Sequence, residues 1–241
     1  TGALIYLDNN ATTQPLPDVV AAMTNFLLED WGNPSSAHSF GLKAKAGIDF
    51  ARRALADLVG AEPAAVLFTS SATEANNTAI LSALRARPQR RRLVAGATEH
   101  SAVVTMGKAQ AEAGCEQILV PPLASGVVNL DALASAITDS TALVSIMWAN
   151  NETGVINPIE EISRLCQKRG VLFHCDAVQA AGKVPINLRE IAIDYLTLSA
   201  HKIHGPKGVG ALVVANDAPF FAMHYGGHQE GGRRGGTENV P

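Results

Sequence analysis

The chain has 241 residues, 47% of them hydrophobic and 17% charged, with a formal net charge of −3. That length allows one large core, or a large domain plus a fragment of a second, and the modest charge gives no reason to expect nucleic acid or a membrane as partner. No stretch approaches the roughly 18 apolar residues of a membrane span, and TGALIYLDNN lacks the basic start and apolar run of a signal peptide, so a cytoplasmic location is expected.

Pro17 to Asp30 and Lys43 to Val59 read as helices, the second with apolar positions three and four apart. From about residue 60 short apolar runs alternate with segments of helical period, which predicts an α/β domain with a mainly parallel sheet. The expected strands are Val66 to Thr69, Leu93 to Ala97, Gln117 to Val120, Ala142 to Met147, Val171 to His174, Tyr195 to Leu198 and Gly210 to Val214. Helices are expected over Thr73 to Arg85, Ser101 to Ala113, Leu130 to Ile137 and Ile159 to Lys168. Arg85, Arg87, Arg90, Arg91 and Arg92 crowd one helix end, and read either as a docking patch or as cations at a helix C-terminus. Cys115, Cys166 and Cys175 form no CxxC pair, which fits reduced, packed thiols better than a disulfide framework.

Polar residues collect where the strands end, the place where open α/β sheets bind ligands. In FTSSATEANNTAI a strand runs into a helix through Ser71, Ala72, Thr73 and Glu74. Ser-x-x-Glu is a capping-box pattern, and the same helix N-terminus offers free N–H groups to a phosphate. In VLFHCDAVQAAG an apolar strand ends at Asp176, with Gln179 a turn beyond. An acid there either caps a helix or faces a cation, such as a protonated pyridine nitrogen that it would keep charged. His174, Cys175 and Asp176 do not suggest a metal site, because adjacent residues on a strand point to opposite faces.

DYLTLSAHKIHGPKGVGAL delivers Ser199, His201 and Lys202 in quick succession, ahead of a Gly- and Pro-rich loop. A lysine there is either an ordinary turn residue or a partly buried, nucleophilic amine suited to a Schiff base. TEHSAV places His100 between a strand and a helix, able to cap, stack or shuttle a proton. MWANNETG places Asn150 and Asn151 just after a buried strand, where at least one of them should serve the turn itself.

Taken in order, YLDNNATT, NPSSAHSFG, SATEANN, TEH, ANNETG, DAVQ, SAHKIHGPKG and GGHQEGGRRGGTEN resemble the cysteine desulfurases of the NifS and IscS type, fold type I pyridoxal phosphate (PLP) enzymes of the class V aminotransferase family. The resemblance covers essentially the whole chain, and MWANNETG and GGRRGGTEN look closer to the NifS branch. It implies a PLP-binding large domain over 16–241, a seven-stranded, mainly parallel sheet sandwiched by helices, with residues 1–15 packing against a smaller domain. Lys202 would hold the cofactor, Asp176 would pair with its ring nitrogen, and His100 would stack on the ring and serve in proton transfer. Gln179 would hydrogen-bond the phenolic oxygen, Asn151 would lie near that oxygen and the substrate carboxylate, and Ala72, Thr73, Ser199 and His201 would cradle the phosphate. Thr237 would reach the phosphate of a neighbouring subunit, implying a homodimer.

The implied reaction takes sulfur from L-cysteine, leaving L-alanine and a persulfide that passes to an acceptor such as an iron–sulfur scaffold. Selenocysteine lyase, another class V lyase and a non-catalytic PLP-binding scaffold share the same cofactor residues. The family's persulfide cysteine and substrate-carboxylate arginine belong to a later, smaller domain and match nothing up to Pro241, so the resemblance implies an incomplete enzyme. Ser71 stands where relatives often have Gly or Cys, a change that leaves the backbone role intact.

Overall fold

The computed structural model describes residues 4–241; the first three residues of the expected 1–15 segment lie outside the described residues. Helices α1 (Pro17–Leu28) and α2 (Ser39–Val59) lead into strand β1 (Val66–Thr69). There follow α3 (Ala72–Ala86), β2 (Arg92–Gly96), α4 (Ser101–Glu112), β3 (Glu116–Val120), α5 (Leu130–Ala136), β4 (Thr141–Ser145), α6 (Ile159–Arg169), β5 (Leu172–Asp176), β6 (Tyr195–Ser199) and β7 (Gly210–Val214). The strands form one seven-stranded sheet in the order β1-β7-β6-β5-β4-β2-β3.

The pairs from β3 through β6 are parallel, whereas β7 runs antiparallel to both β6 and β1. Parallel neighbours need a long crossover, which α4, α5 and α6 supply between successive strands from β2 to β5. The connection from β6 to β7 contains only a short 3₁₀ turn, so the chain reverses and β7 enters antiparallel.

Side-chain alternation along the strands divides the core into two layers. Val66, Val94, Val144, Phe173 and Cys175 face a cluster that includes Ala56 and Val59 of α2, Leu133 of α5 and Ile162 of α6. Leu67, Leu93, Ala95, Leu143 and Leu172 face the other side, covered by Ala75, Ala79, Ile80 and Ala83 of α3 and Val103 of α4. Helix ends follow ordinary electrostatics: α6 begins with Glu160 and Glu161, finishes with Lys168 and Arg169, and stops at Gly170, whose φ of 60° suits a residue without Cβ.

The expected element boundaries hold to within four residues, the largest difference being the start of α2 at Ser39 rather than Lys43, and one of the smaller differences is informative. The run Ala142 to Met147 predicts a strand to Met147, but β4 pairs with β2 only as far as Ser145, because β2 leaves the sheet after Gly96. On its other side the chain stays bonded to β5, with Ile146 and Trp148 N–H donating to the carbonyls of His174 and Asp176. β2 leads outward to β3, whereas β4 leads the other way to β5 and β6. Where the order reverses, the segments leaving the strand ends part and open a crevice.

Candidate active site

A cavity of about 470 Å³ opens at these strand ends. Nine of the ten residues singled out from the sequence line it: Ala72, Thr73, His100, Asn151, Asp176, Gln179, Ser199, His201 and Lys202. Thr237 does not; it lines a separate cavity with Phe68, Ser70 and Pro206.

Asp176, the last residue of β5, is 5% exposed. Its Oδ1 accepts the Val178 N–H at 3.0 Å, and its Oδ2 accepts from Asn76 Nδ2 at 2.8 Å. Burial nevertheless holds the acid above the usual carboxylate range, against those two hydrogen bonds and the positive charge of Lys202. A carboxylate in that condition gains from a cationic ligand atom placed beside it.

The first turn of α3 forms the next wall. Ser71 caps the helix by accepting the Glu74 N–H at 3.3 Å, and Glu74 accepts in return from Ser70 N at 2.8 Å and Ser70 Oγ at 2.6 Å. The capping pattern is therefore real, displaced by one residue on its return bond. It leaves the N–H groups of Ala72 and Thr73 without a partner among the described residues, so capping and anion binding are compatible here. Gly210 lets β7 lie against this turn, since a Cβ there would sit 2.8 Å from Ala72 N.

Lys202 follows β6 on a short 3₁₀ turn. Its Nζ donates to the carbonyls of Asn10 and Ala11, the second at 2.8 Å. Burial, and after it the nearby Lys183 charge, pull its pKa below the usual lysine value. Gln179 donates to the same Asn10 carbonyl at 2.9 Å and accepts from Lys183 Nζ at 2.7 Å. The stretch from Asn10 to Thr13 thus crosses the pocket as a strap, fixed also by Thr13 N–H to the His201 carbonyl at 2.8 Å and by a 3.1 Å contact between Thr12 Oγ1 and His201 Nδ1.

His100 caps α4, its Nδ1 accepting the Ala102 N–H at 3.1 Å. An acceptor Nδ1 puts the proton of a neutral ring on Nε2. Of the two asparagines after β4, Asn150 makes the turn: its Oδ1 accepts from Glu152 N, Thr153 N and Thr153 Oγ1. Asn151 is the one that lines the cavity.

Along β5, Cys175 packs into one core layer while His174 and Asp176 face the other. Both ring nitrogens of His174 meet hydroxyls, Ser145 Oγ at 2.8 Å and Thr197 Oγ1 at 3.0 Å, and burial pushes its pKa down to about 3. All three cysteines are buried, and burial raises each thiol, that of Cys166 to about 12. The arginines after α3 serve the ends of other helices rather than their own: Arg87 and Arg90 each donate to the Gly170 carbonyl after α6 at 2.9 Å, and Arg91 donates to carbonyls at the end of α4.

Sequence reading missed Asn76, the strap carbonyls, and the tie between Arg234 and Glu74, whose Nη2 to Oε2 distance is 3.2 Å. The one available signal was the Asn76–Asn77 pair inside a helix, where asparagine is a poor helix former and needs another reason to be present.

The model of the aminotransferase class-V family matches residues 5–237. The chain belongs to that family. It is 48% identical over 239 residues to cysteine desulfurase 2 of Trichormus variabilis, covering 99% of this chain and 60% of that protein. It therefore spans about 60% of the length of the curated relatives it matches. A solved NifS-like protein superposes with a TM-score of 0.95 at 40% identity, covering 98% of this chain and 66% of that one. SspA in complex with cysteine superposes with a TM-score of 0.93 at 35% identity, covering 98% and 69%. The seven-stranded, mostly parallel sheet flanked by helices is the fold of PLP fold type I enzymes, the class of its NifS-like structural neighbours.

Proposed function

We propose that this chain is the PLP-binding large domain of a cysteine desulfurase, which converts L-cysteine to L-alanine and passes the sulfur on as a persulfide. The observation that carries the reading is the convergence of a buried, under-compensated Asp176, a lysine of lowered pKa and an open helix N-terminus on one cavity. PLP presents a ring nitrogen, an aldehyde and a phosphate, one for each.

In this reading Ala72 and Thr73 donate their N–H groups to the phosphate, with Ser199 and His201 beside them. Asp176, oriented by Asn76, holds a proton on the ring nitrogen. Bound in this way, PLP supplies an electron sink for the pair left at the substrate Cα. Lys202 would hold the aldehyde carbon, and its Nζ, when freed, would move the Cα proton, a role helped by burial, which shifts the amine toward its uncharged form. His100 would stack on the ring and present Nε2, its Nδ1 being committed to Ala102. Gln179 would hydrogen-bond the phenolic oxygen, and Asn151 would lie near that oxygen and the substrate carboxylate.

The thiolate that receives sulfur comes from none of Cys115, Cys166 or Cys175, since burial disfavours the thiolate in each. A homodimer, with Thr237 serving the neighbouring subunit, is supported by α1, which buries none of its own residues and exposes Val20, Leu27 and Leu28. Exposed Leu4, Ile5 and Leu7 support the packing of the first fifteen residues against a second domain. Among the described residues no helix is long and apolar enough to cross a membrane, and reduced cysteines suit the cytoplasm. An iron–sulfur scaffold is the proposed class of acceptor.

The test is borohydride reduction of the PLP-loaded protein followed by peptide mapping. The expected result is a pyridoxyl group on Lys202, and cysteine-dependent alanine formation that is lost in Lys202→Ala. Alanine formation that survives Lys202→Ala refutes the mechanism.

A further inference from the structure

Glu99 sits in the turn between β2 and α4 and is 8% exposed. Its Oε1 accepts the backbone N–H of Met147 at 2.7 Å, while Oε2 has no partner among the described residues. The sheet explains that first bond. β2 and β4 pair in parallel through Ala95 and Ser145, after which β2 turns away, with Glu99 N–H bonded to the Gly96 carbonyl. The chain beyond β4 continues along β5, to which Ile146 and Trp148 donate. Met147 lies between those two donors, and in an extended chain its N–H points the opposite way, toward the side that β2 has vacated. The Glu99 carboxyl takes the place of the strand carbonyl that is missing there.

Two further observations belong to the same joint. A Cβ on Gly96 would stand 2.8 Å from Glu99 Oε1, so the glycine leaves the space that the carboxyl needs. Asn150 Nδ2 donates to the Thr98 carbonyl at 3.1 Å, a second bond between the same two segments. One segment carries His100, and the other carries Met147 and Asn151, which line the cavity; Glu99 itself does not.

We infer that Glu99 is a positioning residue of the active site, which extends the sheet with its side chain and locks the Met147–Asn151 wall to the turn that presents His100. The inference rests on the cofactor-site reading above. Burial raises the Glu99 acid well above its usual range, against the Met147 hydrogen bond and with a smaller push from Asp176, and glutamine keeps the carbonyl oxygen that accepts that bond.

The test uses the intact protein with Glu99→Gln, which keeps the acceptor oxygen, and Glu99→Ala, which removes it. Residue-resolved hydrogen exchange should show the Met147 amide opening about tenfold faster or more in Glu99→Ala, with the Val144 amide inside β4 unchanged. PLP affinity should fall by about tenfold in the same variant. Glu99→Gln should restore both to within a few-fold of wild type. If Glu99→Ala loses protection at Val144 as well, Glu99→Asp, one methylene too short to reach, takes its place. Unchanged Met147 exchange and PLP affinity in Glu99→Ala overturn the inference, as does a Glu99→Gln variant as impaired as Glu99→Ala. Failure of wild type to bind PLP would overturn the cofactor reading instead, and Met147 exchange would still decide the role of Glu99.

Discussion

Asn76→Ala separates the orientation of the buried acid from the integrity of the fold. Asn76 is 1% exposed and gives Asp176 Oδ2 a 2.8 Å hydrogen bond; its own Oδ1 has no partner. A hydrogen bond to a charged acceptor is worth about 1.5–3 kcal/mol, so ligands that need the ionised Asp176 should bind about 10- to 150-fold more weakly. Deleting the orphan Oδ1 offsets part of the loss to the fold, and the stability cost should stay near 1 kcal/mol. Burial already holds Asp176 above its normal range, and removing the Asn76 donor takes it higher. The protonated acid is then more populated at low pH, so the affinity loss should be larger at about pH 6.5 than at about pH 8.5. The assay is equilibrium titration of the apoprotein with PLP at both pH values, with thermal unfolding without cofactor as the control. A PLP affinity equal to wild type at both would refute the assignment of Asp176 as the partner of the ring nitrogen.

Arg52→Leu should cost about 3 kcal/mol in urea unfolding, because Glu230, 6% exposed, loses the guanidinium that meets it at 2.8 Å and keeps only the Phe68 N–H at 3.4 Å and the nearby charge of Arg233. Glu74→Ala removes the acceptor of Ser70 and Arg234 together, and limited proteolysis should cut between 224 and 239 sooner than in wild type. His174, with a folded pKa of about 3 against 6.5 unfolded, binds fewer protons when folded, so stability falls as pH drops below about 6.5 and is about 2 kcal/mol lower at about pH 5 from this residue alone. In His174→Asn that part of the slope should vanish in unfolding measured at pH 7.5 and pH 5. The three cysteines should react with a thiol reagent only as fast as the protein unfolds; a rapid phase in the native protein would contradict their burial.

Much of this molecule is written locally. Apolar runs a few residues long, separated by helices of 3.6 period, suffice to mark the strands and α-helices of the described residues, because burying one face of each is a demand that neighbouring residues can meet or fail. The catalytic candidates were legible for a related reason: Asp176 is a buried acid at the end of an apolar strand, a placement that costs free energy unless a ligand or partner compensates, and His100 and Lys202 stand in the turns that follow two more such strands.

What the sequence could not settle is which of several sound local readings applies. Ser71 and Glu74 cap α3, and the same helix start keeps two N–H groups free; only the approach of β7 at Gly210 shows both at once. Five arginines near one helix end look like a patch until the folded chain brings carbonyls from the ends of α4 and α6 to meet three of them. Asn76 meets Asp176, the strap carbonyls meet Lys202, and Glu99 meets Met147 only because the sheet order sets β2, β4, β5 and β6 side by side. Periodicity reports which face of an element is buried. Hydrogen bonds between residues a hundred positions apart depend on which strands become neighbours, and the tertiary structure alone decides that.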